Sequence, residues 1–297
     1  MWQQLLKDLQ NGNPRALARS ISLVENEQEG YEALLEALPL QQRSFIIGVT
    51  GPPGAGKSTL TDALIGELIT DGKKVAVLCV DPSSPFNLGA VLGDRIRMSD
   101  WYTHPDVFIR SLATRGAMGG LHPKIIEITD LAKAAGYDYV VVETVGVGQS
   151  EIEIAGLADV TVVVVVPEAG DEVQTMKAGL MEIADIFVVN KSDRPDADAF
   201  VRHLRQMLAP AFRNHVQAVP VLKTVASEKK GVPELKAAVL NQLHAGQTNE
   251  RRTVLLAEKA WLLIQSRRMK GLSKKLLQEK IAAAGSGFNL YHFIKEF

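Results

Sequence analysis

The sequence holds a single cysteine, Cys79. That excludes an intramolecular disulfide and any multi-cysteine metal site, and it fits a reducing compartment. Cys79 stands inside the apolar run VAVLCV, where a thiol serves as a small buried hydrophobe rather than a nucleophile. Charge of one sign is missing as well: 33 Lys and Arg face 34 Asp and Glu, so nothing points to wholesale binding of nucleic acid. The local cluster of Arg267, Arg268 and Lys270 reads as a solvated helix face. Long apolar runs are also absent. VTVVVVV, Val160 to Val166, is far too short to cross a bilayer as a helix, and its β-branched residues mark a buried strand. The opening MWQQLLKDLQ has no basic segment followed by a long apolar one, so it does not read as a secretory signal. A cytoplasmic protein is expected, with no membrane and no nucleic-acid partner.

What is present has the length, 297 residues, and the hydrophobic content, 46%, to bury a sizeable core in one large domain or two modest ones. Residues 1–40 read as an N-terminal helical extension. Pro14 suits a first turn, and Leu17, Ile21 and Val24 recur at helical spacing in PRALARSISLVE, with YEALLEAL continuing the pattern. Residues 41–240 alternate apolar strands with helices. The strands are SFIIGVT, KVAVLCV, VFIRS, DYVVVETV, VTVVVVV, DIFVVN and VQAVPVL; the helices include HPKIIEITDLAKAA and VQTMKAGLMEIA. Strands apolar on both faces predict an α/β fold with a mainly parallel central sheet flanked by helices. Residues 241–297 are helical again. There Val254, Leu255, Ala257, Trp261, Leu262 and Ile264 lie mostly along one side, a face that must pack on its own domain or on a partner such as a second copy.

The polar clusters follow strands, where ligands bind in open α/β sheets. GPPGAGKST, comprising Gly51, Pro52, Pro53, Gly54, Ala55, Gly56, Lys57, Ser58 and Thr59, matches the phosphate-binding P-loop between a strand and a helix. Its glycines let backbone N–H groups face phosphates at a helix N-terminus. Lys57 would reach the β- and γ-phosphates, Ser58 would offer its hydroxyl to Mg²⁺, and Thr59 could bond the α-phosphate. NKSD follows the strand DIFVVN. A carboxylate at Asp193 can accept both N1–H and the 2-amino hydrogens of guanine, a pair that adenine lacks. Asn190 could bond the far edge of the purine, and the stem of Lys191 could cover its face. In VVVETVGVGQSE the strand ends in Glu143, which would bind Mg²⁺ through water. The Gly146 N–H would sense the γ-phosphate, making Val145 to Glu151 a switch that includes Gln149. Asp81 in VDPSSP and Asp94 in LGDRIRM could each complete the Mg²⁺ shell or hold the attacking water, or serve as turn or helix-cap aspartates.

Together with these, VDPSSP, GDRIRM, LATRGAMGGL, ETVGVGQSE, GDEVQTMKAGLMEIADIFVVNKSD and ALARSISLVE make the chain resemble the MeaB/ArgK family. Its members are the GTPases that accompany methylmalonyl-CoA mutase, also called methylmalonic aciduria type A proteins. The resemblance runs from about residue 10 to the C-terminal helices. It implies a P-loop NTPase of the SIMIBI type, the class of signal-recognition and metal-insertion GTPases, and a homodimer through the C-terminal helices. It also implies a G-protein chaperone that binds GTP or GDP and an adenosylcobalamin-dependent acyl-CoA mutase, gates cofactor loading, and protects or rescues that enzyme. By motif, Lys57, Ser58, Asp81, Asp94 and Glu143 look like the phosphate and Mg²⁺ residues, with Gly146 as sensor. Asn190, Lys191 and Asp193 look like the base-reading set. The loop TVASEKKG, with Val225, Ala226 and Ser227, would offer the Ala226 N–H to guanine O6. The segment Val166 to Lys177 looks like the family's additional switch, although Pro167-Glu168 departs from the usual pattern. Arg115, in the Gly-rich LATRGAMGGL, reads as a surface or interface residue.

Two other readings share parts of this evidence. A metallochaperone GTPase of the hydrogenase or urease maturation type has the same fold but needs clustered Cys or His ligands. Here one cysteine sits in a strand and the six histidines (His104, His122, His203, His215, His244 and His292) are scattered. A kinase linked to amino-acid transport needs a second substrate site, for which no motif is visible.

Overall fold

The computed structural model describes residues 2–39, 44–81, 98–114, 121–144, 150–169, 183–211, 219–244, 250–269, 271–284 and 288–296. The chain divides into two compact units, Met1–Arg252 and Thr253–Phe297.

The first unit is built on a seven-stranded sheet: β1 (Phe45–Thr50), β2 (Val75–Asp81), β3 (Val107–Ala113), β4 (Tyr139–Glu143), β5 (Val160–Val165), β6 (Ile186–Val189) and β7 (Val221–Lys223). They lie in the order β3-β2-β4-β1-β5-β6-β7, and every neighbouring pair is parallel. β7 is shorter than the expected VQAVPVL, whose residues 216–218 lie outside those described. Most of the predicted helix VQTMKAGLMEIA also lies outside them.

Parallel strands covered on both sides must be apolar on both faces, and the inner strands β1, β2, β4, β5 and β6 are largely so. Val75, Val77, Cys79, Tyr139, Val141, Ile47, Val49, Val162, Val164 and Val188 share one buried cluster with Leu60, Leu64 and Leu68 of α4 (Lys57–Ile69) and Leu235 and Val239 of α8 (Val232–His244). On the opposite face Val163, Val165, Phe187 and Val189 pack with Phe200, Val201, Leu204 and Leu208 of α7 (Ala197–Ala211). That face is also covered by α5 (Ile125–Ala134) and α6 (Ser150–Leu157). Cys79 is buried, as its setting predicts.

A recurring aspartate sets where the strands begin. Asp138, Asp159 and Asp185 each stand one residue before β4, β5 and β6. Each accepts a backbone N–H from the start of a neighbouring strand: Asp138 Oδ2 from Lys74 (2.9 Å), Asp159 Oδ2 from Ile46 (2.7 Å) and Asp185 Oδ2 from Thr161 (2.7 Å). These N–H groups lie where the ladder ends and would otherwise lack a partner.

Three helices precede the sheet: α1 (Trp2–Gln10), α2 (Pro14–Glu25) and α3 (Tyr31–Glu36). Asn13 caps α2 by accepting the N–H groups of Arg15 and Ala16, with Pro14 in the first turn. Leu17, Ile21 and Val24 are fully buried. The end of α2 is clamped to the sheet by charge. Glu25 takes a guanidinium hydrogen bond from Arg110 of β3 at 2.7 Å, and His122 Nε2 lies 3.6 Å from its other oxygen. His122 Nδ1 accepts the Lys124 N–H, so its ring proton falls on Nε2, facing Glu25.

The second unit contains most of α9 (Glu250–Arg268), with α10 (Lys274–Ala284) and α11 (Leu290–Phe293). Its large apolar residues are exposed, among them Val254 (61%), Trp261 (62%) and Tyr291 (76%). No helix among the described residues is long and apolar enough to cross a membrane.

Gly48 of β1 lies at a close approach of helix to sheet. A Cβ there would lie 2.6 Å from Ile154 Cγ1 and 3.0 Å from Ala158 Cβ. Gly48→Ala is therefore expected to push α6 outward and destabilise the first unit by about 1–3 kcal/mol. Chemical denaturation of the variant measures this, and an unchanged midpoint would show that α6 is not seated as described.

Candidate functional site: a phosphate loop clamped between two strand ends

The sheet places the ends of β1, β2, β4 and β6 on one edge, and the sequence motifs converge there. β1 ends at Thr50, Gly51 to Gly56 form a loop, and α4 starts at Lys57. Gly51 has φ +138°, and a Cβ on it would fall 2.0 Å from the Val164 carbonyl oxygen, so the loop lies directly against β5. Gly56 precedes α4 with φ +86°, and a Cβ there would meet Asn190 Nδ2 at 2.5 Å. No side chain caps α4, which leaves its first N–H groups to a ligand. Pro52 and Ala55 are buried; Pro53, Gly54 and Thr59 are exposed.

Lys57 is buried and folds back over the loop, donating from Nζ to the carbonyls of Gly51 (2.9 Å) and Pro52 (3.1 Å). Ser58 Oγ donates to Glu143 Oε1 at 2.6 Å. Cys79 pairs with Glu143 across β2 and β4, so Asp81, two residues further on, projects from the same face as Glu143. That is the face covered by α4. Ser58 and Glu143, with Asp81 on the same face at the end of the adjacent strand, offer hard oxygen donors, the donor chemistry that suits Mg²⁺. Asp94, Gly146, Arg115 and Gln149 lie outside the described residues, as does most of the Val166 to Lys177 segment.

The second half of the site is organised by Asn190. Its Nδ2 donates to the Ala55 carbonyl at 2.9 Å, while its Oδ1 accepts the Thr224 hydroxyl at 3.0 Å and the Ala226 N–H at 3.1 Å. The sequence reading gave Asn190 to the purine edge and the Ala226 N–H to guanine O6. In this structure the two groups bond to each other, and Asn190 joins the phosphate loop to the loop after β7. Thr224, which completes this clamp, was not singled out from the sequence, since a hydroxyl after a strand carries no motif. Lys191, at φ +55°, donates from Nζ to the Gly54 carbonyl at 2.7 Å and so closes over the loop from the other side.

Asp193 is exposed, with no side-chain hydrogen bond among the described residues. Beside it, Val225 and Lys230 pair across a tight turn that buries Val225 and Ala226 and leaves Ser227 exposed. The Lys230 amine is held above its usual range first by its hydrogen bond to Glu228, with the charge of Asp193 adding to the effect. Next in the chain, Arg194 forms an ion pair with Glu168, whose carboxyl it holds below the usual range. On the α4 side, burial raises the Asp62 carboxyl, partly offset by a 2.7 Å hydrogen bond from the Trp101 indole.

Residues 17–280 match the model of the family described as methylmalonyl Co-A mutase-associated GTPase MeaB. The chain belongs to this family. A protein of Pyrococcus abyssi (strain GE5 / Orsay) named "Putative GTPase PYRAB02490" is 49% identical over 239 residues, 79% of this chain and 74% of its own length. A methylmalonic aciduria type A homolog, mitochondrial, of Caenorhabditis elegans is 41% identical over 207 residues, 64% of this chain and 52% of its own. A crystal structure described as LAO/AO transport system kinase superposes with a TM-score of 0.72 at 28% identity, covering 99% of this chain and 95% of the other. Membership makes the protein a GTPase of the P-loop class. The match spans every described residue of the phosphate loop, the β4 end and the NKSD turn.

The Asn190 clamp contains two side-chain bonds to backbone and one to a hydroxyl, all buried. Asn190→Ala leaves the Ala55 carbonyl, the Thr224 hydroxyl and the Ala226 N–H to find other partners, at a cost of about 2–3 kcal/mol. Thermal unfolding without nucleotide is expected to fall by roughly 4–10 °C for a unit of this size. An unchanged transition would mean that the clamp adds nothing to the fold.

Proposed function

We propose that this GTPase is the chaperone of an adenosylcobalamin-dependent acyl-CoA mutase of the methylmalonyl-CoA type, gating cofactor loading and protecting or reactivating that enzyme. The family description, which names association with methylmalonyl-CoA mutase, carries this reading. The worm relative's name supports it. The nucleotide chemistry rests on the site. The exposed carboxylate of Asp193 accepts the guanine N1–H and 2-amino hydrogens, while Lys191 flanks the base and the N–H groups of the loop and of α4 receive the phosphates. Lys57 exchanges its two carbonyl partners for β- and γ-phosphate oxygens.

Ser58, Asp81 and Glu143 would hold Mg²⁺, which when bound supplies positive charge against the phosphates. Asp94 and Gly146 complete the proposed set as metal or water ligand and γ-phosphate sensor, and Val225, Ala226 and Ser227 form the wall beside the base. We assign the exposed apolar residues of the second unit to a homodimer contact, because a soluble monomer rarely presents so many together. The single buried cysteine, which can form no internal disulfide, supports a cytoplasmic location.

Turnover alone is slow, because P-loop catalysis depends on positioning water and stabilising charge, and partners often complete that arrangement. The kinase reading suggested by the similar crystal structure requires phosphate to end on an acceptor protein rather than in solution.

Free phosphate release from GTP, with ATP as control, is expected to rise about tenfold or more when the host's acyl-CoA mutase is added. GTP-selective release that ignores the mutase would remove the proposed partner, and phosphate retained on protein would favour the kinase. At the base, Asp193→Asn is expected to weaken GTP about 100-fold while improving xanthosine triphosphate. Competition binding with both nucleotides reads this, and unchanged guanine preference would remove Asp193 from the base site.

A further inference from the structure

Thr50 and Thr144 are both buried, and their hydroxyl oxygens lie 2.9 Å apart. Thr50 is the last residue of β1 and passes the chain to Gly51 of the phosphate loop. Thr144 follows Glu143, and its N–H donates to the Val49 carbonyl at 3.0 Å, which extends the β1–β4 ladder one step past the end of β4. Among the described residues, the hydroxyl pair lies one step further along the two chains than this backbone bond.

Alternation along β1 puts Thr50 on the face of Ile46 and Gly48, opposite the face of the Ser58–Glu143 bond. The junction of phosphate loop and β4 is therefore tied on both faces: Ser58 to Glu143 on the α4 side, Thr50 to Thr144 on the α6 side. The two ties differ in what a nucleotide does to them. Ser58 and Glu143 both belong to the oxygen set proposed for Mg²⁺, so their mutual bond is exchanged when the site fills. The threonine pair faces away from that set and keeps its bond.

Packing alone does not call for these hydroxyls. Valine has nearly the same shape as threonine and would leave no buried polar atom to satisfy, whereas two buried hydroxyls are tolerated only when bonded. In an apolar layer such a bond is directional and fixes one geometry.

We propose that Thr50 and Thr144 are positioning residues for GTP hydrolysis. Their hydroxyl bond keeps Glu143 in register with the phosphate loop while Ser58 changes partner. This rests on the reading of residues 51–59 as the nucleotide site.

The test compares Thr50→Val and Thr144→Val, which keep the shape and lose the bond, with Thr50→Ser and Thr144→Ser, which keep the bond and lose a methyl. Each valine variant is expected to lower kcat about tenfold with KM changed less than about threefold. The serine variants are expected to retain near wild-type kcat, and the double valine variant to be no worse than either single, because one bond is shared. Release of a fluorescent GDP analogue in Mg²⁺ gives a readout without turnover, and the valine variants are expected to release it about fivefold faster. Valine variants that match the wild type in both assays would overturn the proposal, as would serine variants that lose more than the valine ones, or losses that multiply in the double variant. A wild-type protein that failed to bind the analogue would overturn the nucleotide-site reading and the pair's role together. One that binds and hydrolyses while the valine variants are unaffected would overturn the pair alone.

Discussion

The candidate site depends on the buried amide of Asn190. A primary amide can donate and accept at once, and here it does both across three chain segments. It donates to the phosphate loop at Ala55 and accepts from Thr224 and Ala226 after β7. A buried amide left partly satisfied would be costly, so the loops are held at the separation that satisfies it. Gly56 must lack a side chain because the same amide occupies the space a Cβ would need. The glycine of the phosphate motif and the asparagine of the NKSD turn are thus one steric fact.

On the other side of the loop the connection runs through Ser58 and Glu143, and through Thr50 and Thr144 on the reverse face of the sheet. The phosphate loop is held from β4 on one side and from β6 on the other, and Gly51 lies against β5 between them. Lys57 and Lys191 close over it by donating to its own carbonyls. These lysine contacts are made to backbone groups that a bound anion can replace. The Asn190 and threonine bonds are buried and link protein groups to one another.

The N-terminal helices dock at the β3 edge of the sheet. Glu25 joins Arg110 of β3 to His122, so the extension is part of the first unit. Its ion pair is largely withdrawn from water, where the partners matter more than for an exposed pair such as Glu168 and Arg194.

Local pattern was enough for much of this. The aliphatic runs required strands buried on both faces, and Pro14 marked a helix start. GPPGAGKST and NKSD marked the candidate phosphate and base loops, because their chemistry is carried by residues adjacent in the chain. The aspartates before β4, β5 and β6 were visible as letters, but their purpose, capping a neighbouring strand, appears only once the strand order is known. Tertiary structure alone decided that Asn190 bonds to Ala226, that Thr50 meets Thr144, and that Glu25, Arg110 and His122 share one charge cluster. Each of these pairs residues far apart in the chain, and a hydrogen bond depends on distance and direction, which spacing along a sequence does not carry.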